Sequence, residues 1–144
     1  MYGMGMSDAL SQKALPALQA GGTVTTASGQ ELDLGKEYLE VPRNLFVAVT
    51  LPELSATVLP DGETITVEFQ ESNDGGANYR QVGSDVFRGK DGIGSKSNRA
   101  KYHPVNNGVD HGRESRTFLY KANVICSAGV VPPTETPVLE IILG

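Results

Sequence analysis

Few side chains in this sequence combine the types and spacings that chemistry requires. His103 and His111 are the only histidines, and they flank a segment containing Asp110. Zinc sites draw three or four His, Cys or carboxylate ligands at tight spacing. That spacing is not met here, so the pair reads as exposed loop histidines. Cys126 is the single cysteine and stands in an apolar alternation, as a small core residue does. Gly89 to Ser97 approaches a phosphate-binding loop, which needs Gly, four residues, then Gly-Lys-Ser/Thr. Ser95 separates Gly94 from Lys96, so backbone and lysine do not converge on a phosphate. Gly-x-Ser-x-Gly, the elbow of a serine nucleophile, is absent. The carboxylate pairs Glu68/Glu71 and Asp61/Glu63 read as solvated strand or turn residues. Asp74 lies in SNDGGANY without the alternating acidic spacing of a calcium loop. Asn, Asp and Gly form turns in their own right. No catalytic, cofactor or metal site is assigned, and the residues argue against most enzymes.

Charge offers a different kind of candidate. The formal net charge is -5. Residues 80–116 nevertheless hold eight of the twelve basic side chains: Arg80, Arg88, Lys90, Lys96, Arg99, Lys101, Arg113 and Arg116. With four acidic residues the segment is +4, and the remainder carries -9. A chain this dipolar suits an oppositely charged protein surface or copies of itself; a polar exposed loop is the simpler explanation. Single-stranded nucleic acid needs stacking aromatics beside the cations. Phe87 and Tyr102 are the only aromatics the segment offers, and the sequence pI is near 5.0. Direct nucleic-acid binding is therefore not expected.

The elements that must carry these residues read as β structure. In Glu63 to Val82, Ile65, Val67 and Phe69 alternate with Thr64, Thr66, Glu68 and Gln70. That period of two marks a half-buried strand. Pro60-Asp61-Gly62 starts it, Ser72 to Gly76 ends it, and Tyr79 to Val82 returns, giving a hairpin. Leu45 to Leu51 is a near-continuous apolar run, which predicts burial on both faces. Phe118, Tyr120, Ala122, Val124 and Cys126 share one face of a second long strand. Val138 to Leu143 is a closing strand apolar enough to require the middle of a sheet or a neighbouring subunit. Short strands are expected at 23–26 and 31–34. With no helix between strands, an antiparallel sandwich or jelly roll is predicted.

Two stretches resist that pattern. Residues 1–20 read as an N-terminal arm, with Ser7-Asp8 capping a short helix from Ala9 to about Ala14 before Pro16. Leu10, Leu15 and Leu18 are too few to secure a free helix, so the arm orders against a neighbour. Residues 21–144 form the body. Within it, 83–116 reads as one long irregular loop in which only Val86, Phe87 and Tyr102 look like packing residues. An excursion of that length is unusual in a compact domain.

The totals agree with one domain. A chain of 144 residues buries about 70% of its unfolded surface. One cysteine permits no internal disulfide. The first residues lack the basic-then-apolar pattern of a signal peptide, and no apolar run approaches the ~20 residues a bilayer needs. Synthesis in a reducing cytoplasm, with no membrane partner, is the simplest expectation.

LDLG at 32–35, the apolar LFVAVT, VEFQESNDGG at 67–76, the late FLYKANVI and the terminal apolar strand together carry a resemblance. Over residues 20–144 the chain resembles the jelly-roll cement, or decoration, proteins of tailed-bacteriophage capsids. The resemblance implies a structural virion protein on the outer capsid surface, synthesised in the host cytoplasm. Such proteins are commonly trimers, so the resemblance implies a homotrimer bridging major capsid protein subunits. Many weak contacts repeated around a shell give large avidity. Its contact elements would be the arm, through Leu10, Leu15 and Leu18, the terminal strand, and the basic loop, through Arg88, Lys90, Lys96, Arg99 and Lys101. The alternative is a carbohydrate-binding β-sandwich, a receptor-binding or adhesion module, in which strand-plus-turn segments of this kind also occur. The absence of tryptophan and the 6% aromatic content count against that alternative.

Overall fold

A computed structural model describes residues 11–34, 45–89, 98–104 and 118–143. Among the described residues nine strands appear: β1 (Ser11–Ala14), β2 (Thr23–Thr25), β3 (Leu32–Leu34), β4 (Leu45–Thr50), β5 (Thr64–Ser72), β6 (Arg80–Arg88), β7 (Arg99–Tyr102), β8 (Phe118–Cys126) and β9 (Val138–Leu143). They form two antiparallel sheets. One has the order β1-β9-β4-β7; in the other β8 pairs with β5, which pairs with β6, while β2 and β3 share the opposite edge of β8. No helix occurs among the described residues.

The alternations place the core where they should. Ile65, Val67 and Phe69 of β5 and Phe118, Tyr120, Ala122, Val124 and Cys126 of β8 face Val47 and Val49 of β4 and Leu139 and Ile141 of β9, all buried in one cluster. β4 and β9 pair over six residues at the centre of their sheet, which accounts for apolar side chains on both their faces. Turns fall where glycine permits a left-handed backbone: Gly62 has φ 87° ahead of β5, and Gly29 has φ 85° in the 27–30 turn, closed by Gln30 N donating to Ala27 O at 2.9 Å.

Three expectations are corrected. Residues 11–14 form an edge strand, not the end of a helix. β9 offers them a full antiparallel ladder from Ser11↔Ile141 to Ala14↔Val138, where a short helix has little to gain in water. Leu15 and Leu18 pack in the core, each 3% exposed, rather than standing on an arm that projects from the body. Burying each stabilises the monomer by about 1.5–3 kcal/mol. Finally, 83–116 is not one irregular loop. β6 continues through Gly83-Ser84-Asp85 to Arg88 because β5 supplies a partner along its length, with a register shift at Phe69/Gln70. β7 arises from Arg99-Ala100-Lys101-Tyr102 because Ala100 and Tyr102 turn inward against the core. The remainder of that loop, 90–97 and 105–116, lies outside the described residues, as do Leu10 and residues 1–9.

Candidate functional site

The best-defined constellation of polar side chains outside the core lies on the outer face of the β1-β9-β4-β7 sheet. Leu139 and Ile141 point inward, so Glu140 between them points outward. Its neighbours across the sheet are Gln12 on β1 and Ala48 on β4, and Ala48 is in turn paired with Lys101 on β7. Glu140 is nevertheless only 3% exposed. Gln12 Nε2 donates to its Oε1 at 3.1 Å. Thr50 Oγ1 donates to its Oε2, and the Arg99 guanidinium stands 3.4 Å from the same oxygen. Arg99 Nε also donates to Thr50 Oγ1 at 2.9 Å, so the hydroxyl passes on the polarisation it receives. Four strands thus meet on one carboxylate. Beside it the Lys101 ammonium lies 5.1 Å from the Phe46 ring centroid, and His103 packs on the same ring at 4.9 Å.

Of the expected basic contact residues, the fold therefore brings Arg99 and Lys101 together and puts them in different roles. Arg99 holds Glu140; Lys101 is exposed above Phe46. Arg88 is exposed on the other sheet, at the end of β6 opposite Thr64. Lys90 and Lys96 lie outside the described residues, as do His111 and Asp110. Most of the near-phosphate-loop segment does too; only Gly89 is described, buried against Pro60.

A second carboxylate was misread from sequence as solvated. Glu71 is 8% exposed because it continues the inward face of Ile65, Val67 and Phe69. Tyr120 donates its hydroxyl to Glu71 Oε2 at 2.7 Å, and Arg80 Nη2 reaches Oε1 at 3.2 Å from a largely exposed position. The Tyr102 ring approaches both Phe69 and Tyr120. Burial pushes its phenol pKa up, and the Glu71 charge adds to that while Arg80 opposes it. The site ties β5 to β6 and β8 within the fold. Glu63 is likewise structural. It accepts from Ser127 Oγ at 2.7 Å and Gly129 N at 2.8 Å, which lowers its pKa and ties the start of β5 to the loop after β8.

Asp74 organises the β5–β6 turn. Ser72 Oγ donates to its Oδ1 at 2.7 Å, and Asn78 donates from its backbone N to Oδ1 and from Nδ2 to Oδ2, both at 3.0 Å. These donors pull its pKa down to about 2, Ser72 contributing most. A depressed carboxylate adds stability above its ordinary pKa of 3.8 and loses it as pH falls through about 2. The stability difference between the wild type and Asp74→Asn, measured by denaturant unfolding, is therefore expected to shrink from pH 4 toward pH 2; a difference constant over that window would remove Asp74 from the acid response.

Cys126 is a buried core residue, and burial pushes its thiol pKa up, against a smaller opposing effect of a hydrogen bond from the Gln19 backbone. Among the described residues no group of three or more His, Cys, Asp or Glu is placed to hold a metal ion, and no helix is long and apolar enough to cross a membrane. Glu140 and Glu71 had one legible signal each: a lone charge inside an apolar strand, and a charge on the inward phase of an alternation. Comparison with protein-family models, curated proteins and solved structures gave no match.

Proposed function

We propose that this chain is a non-enzymatic structural protein of a virion, a cement protein that bridges major capsid protein subunits on the outer shell and acts as a homotrimer. The observation that carries the reading is the pair of exposed cations on strands of the two sheets. The carboxylates Glu63, Glu71, Asp74 and Glu140 are each bonded within the fold. The exposed cations Lys101 and Arg88 are instead presented outward on rigid strands of opposite sheets. A stiff body that presents exposed cations on its strands suits a protein that works by contact. The resemblance of LDLG, VEFQESNDGG and FLYKANVI to cement proteins supports the same reading. The carbohydrate-binding alternative needs an open aromatic face, and one face of the Tyr79 ring already carries the Lys121 ammonium at 4.5 Å.

The test is co-sedimentation with expanded capsids stripped of surface proteins. Wild-type protein is expected to bind saturably. Lys101→Ala and Arg88→Ala should each weaken binding by about twofold to fivefold, as exposed ion pairs do. The difference should close as salt rises to about 1 M, where the Debye length is about 3 Å. Failure of the wild type to sediment with capsids overturns the function; wild-type binding with unchanged variants removes these cations from the contact.

A further inference from the structure

The geometry points to residues 11–22 as an exchangeable strap, whose groove on one copy of the chain accepts the same strap from a second copy. The strap makes three kinds of contact. β1 pairs with β9 over four residues at the edge of its sheet. Leu15 and Leu18 then descend into the core, and Leu15 N donates to Pro137 O at 2.9 Å. At its far end the chain turns at Gly21, with φ 66°, where Gly21 N donates to Ser127 O at 3.1 Å before β2 joins the other sheet. The strap thus crosses from one sheet to the other and meets the body of the sandwich through a two-glycine joint.

Three features of this placement favour exchange with another copy. The strand of the strap is an edge strand paired with β9 alone, so its departure breaks no other strand pairing. Its joint is the glycine pair Gly21-Gly22, where the backbone has the widest choice of directions. What it uncovers on leaving is the edge of β9, a strongly apolar strand, together with the two places filled by Leu15 and Leu18. An uncovered apolar edge seeks another strand. The segment that matches it in register, in side-chain size and in the Gln12–Glu140 hydrogen bond is the strap itself. Exchange between copies conserves the β1–β9 ladder and the packing of Leu15 and Leu18; it changes the path of the joint, where Gly21 N bonds Ser127 O and Gly22 O accepts from Cys126 N, and a rerouted hinge of this kind is the general basis of domain swapping. The inference concerns copies of this chain alone and stands or falls independently of the capsid reading.

The test uses Ala14 and Val138, which are paired across β1 and β9, both on the outward face. Cross-strand partners lie within disulfide reach. Both arms use a Cys126→Ser background, because unfolding exposes the native thiol that the fold buries. First, the double variant Ala14→Cys/Val138→Cys is oxidised in dilute solution, where closure within one chain checks the register. Second, Ala14→Cys and Val138→Cys chains are mixed, unfolded and refolded together at high concentration, then oxidised. Held in register, the two thiols see each other at about millimolar effective concentration. The mixed disulfide dimer is therefore expected about tenfold above that of a control pair, Val138→Cys with Ala77→Cys, whose second thiol sits in the β5–β6 turn. Mixed dimer at the control level, with the dilute double variant closing normally, overturns the exchange. A double variant that closes neither within nor between chains overturns the register on which it rests.

Discussion

Gly89→Ala is expected to destabilise the sandwich by about 4 kcal/mol, placing it in the severe tail of single substitutions. A Cβ built on Gly89 falls 2.0 Å from Pro60 O, 2.5 Å from Pro60 C and 2.8 Å from Leu59 O. All three are backbone atoms, so no side-chain rotation relieves the overlap. The two segments must move apart. Gly89 N donates to Glu63 O at 3.1 Å at the end of the β5–β6 ladder, so separation also strains that bond. At about 3 °C per kcal/mol for a domain of this size, the melting temperature should fall by roughly 12 °C. Other glycines provide internal controls. Gly62 and Gly29 have nothing within 4 Å of a built Cβ, and alanine there should cost only about 1–2 kcal/mol for the left-handed backbone. Gly129 falls between: its Cβ meets the Glu63 carboxylate at 2.3 Å, but a side chain can withdraw, giving up the two bonds it accepts. Thermal and urea unfolding of the four variants should rank Gly89 as worst. A Gly89→Ala protein within about 1 kcal/mol of the wild type would contradict the close approach of β6 to Pro60.

Sequence reading succeeded where one strand's side chains state their own environment. β5 alternates over eight residues and β8 over nine, and either alternation is sufficient to assign the inward face. β4 and β9 lack alternation because they are central and covered on both sides, and the continuous apolar run reports that. Reading failed where a partner strand decides the matter. Gly83-Ser84-Asp85 has no strand signal of its own, yet β5 holds it in register. Ser11 to Ala14 is four residues with no pattern, and only the edge of β9 makes it a strand. Leu15 and Leu18, three apart, look like a weak helix stripe. In the fold they enter the core from an extended segment.

The same distinction governs the candidate site. The cationic type of Arg99 and Lys101 was legible, but not their division into a structural and a presented cation. That division depends on Glu140 arriving beside Arg99 from a strand 41 residues later, and on Phe46 arriving beneath Lys101. A charge inside VLEIIL implies that partners exist; it does not say which strand brings them. The consequence for any functional test is direct. Neutralising all the basic residues at once removes Arg99 along with Lys101 and Arg88, and so mixes loss of contact with loss of fold.

Arg99→Ala is accordingly expected to act through stability. It leaves the Glu140 carboxylate buried beside its neutral donors Thr50 and Gln12. Removing one partner of a buried pair costs about 3–5 kcal/mol; the guanidinium here is 32% exposed, which argues for about 2–3 kcal/mol. Glu140→Ala should cost a similar amount, because it vacates a buried position and leaves Thr50 and Arg99 without their acceptor. Since both variants break the same contact, the double variant should be less damaging than the sum of the two, with a coupling of about 1–2 kcal/mol in a double-mutant cycle. Lys101→Ala, on the same face, should change stability by less than about 1 kcal/mol, the usual size of an exposed cation–π contact. The contrast separates fold from contact: Arg99→Ala should lower the unfolding midpoint while the fraction still folded binds capsids nearly as well as the wild type. If Arg99→Ala instead unfolds with the wild type yet loses capsid binding, then Arg99 belongs to the contact surface and its bond to Glu140 contributes little to stability.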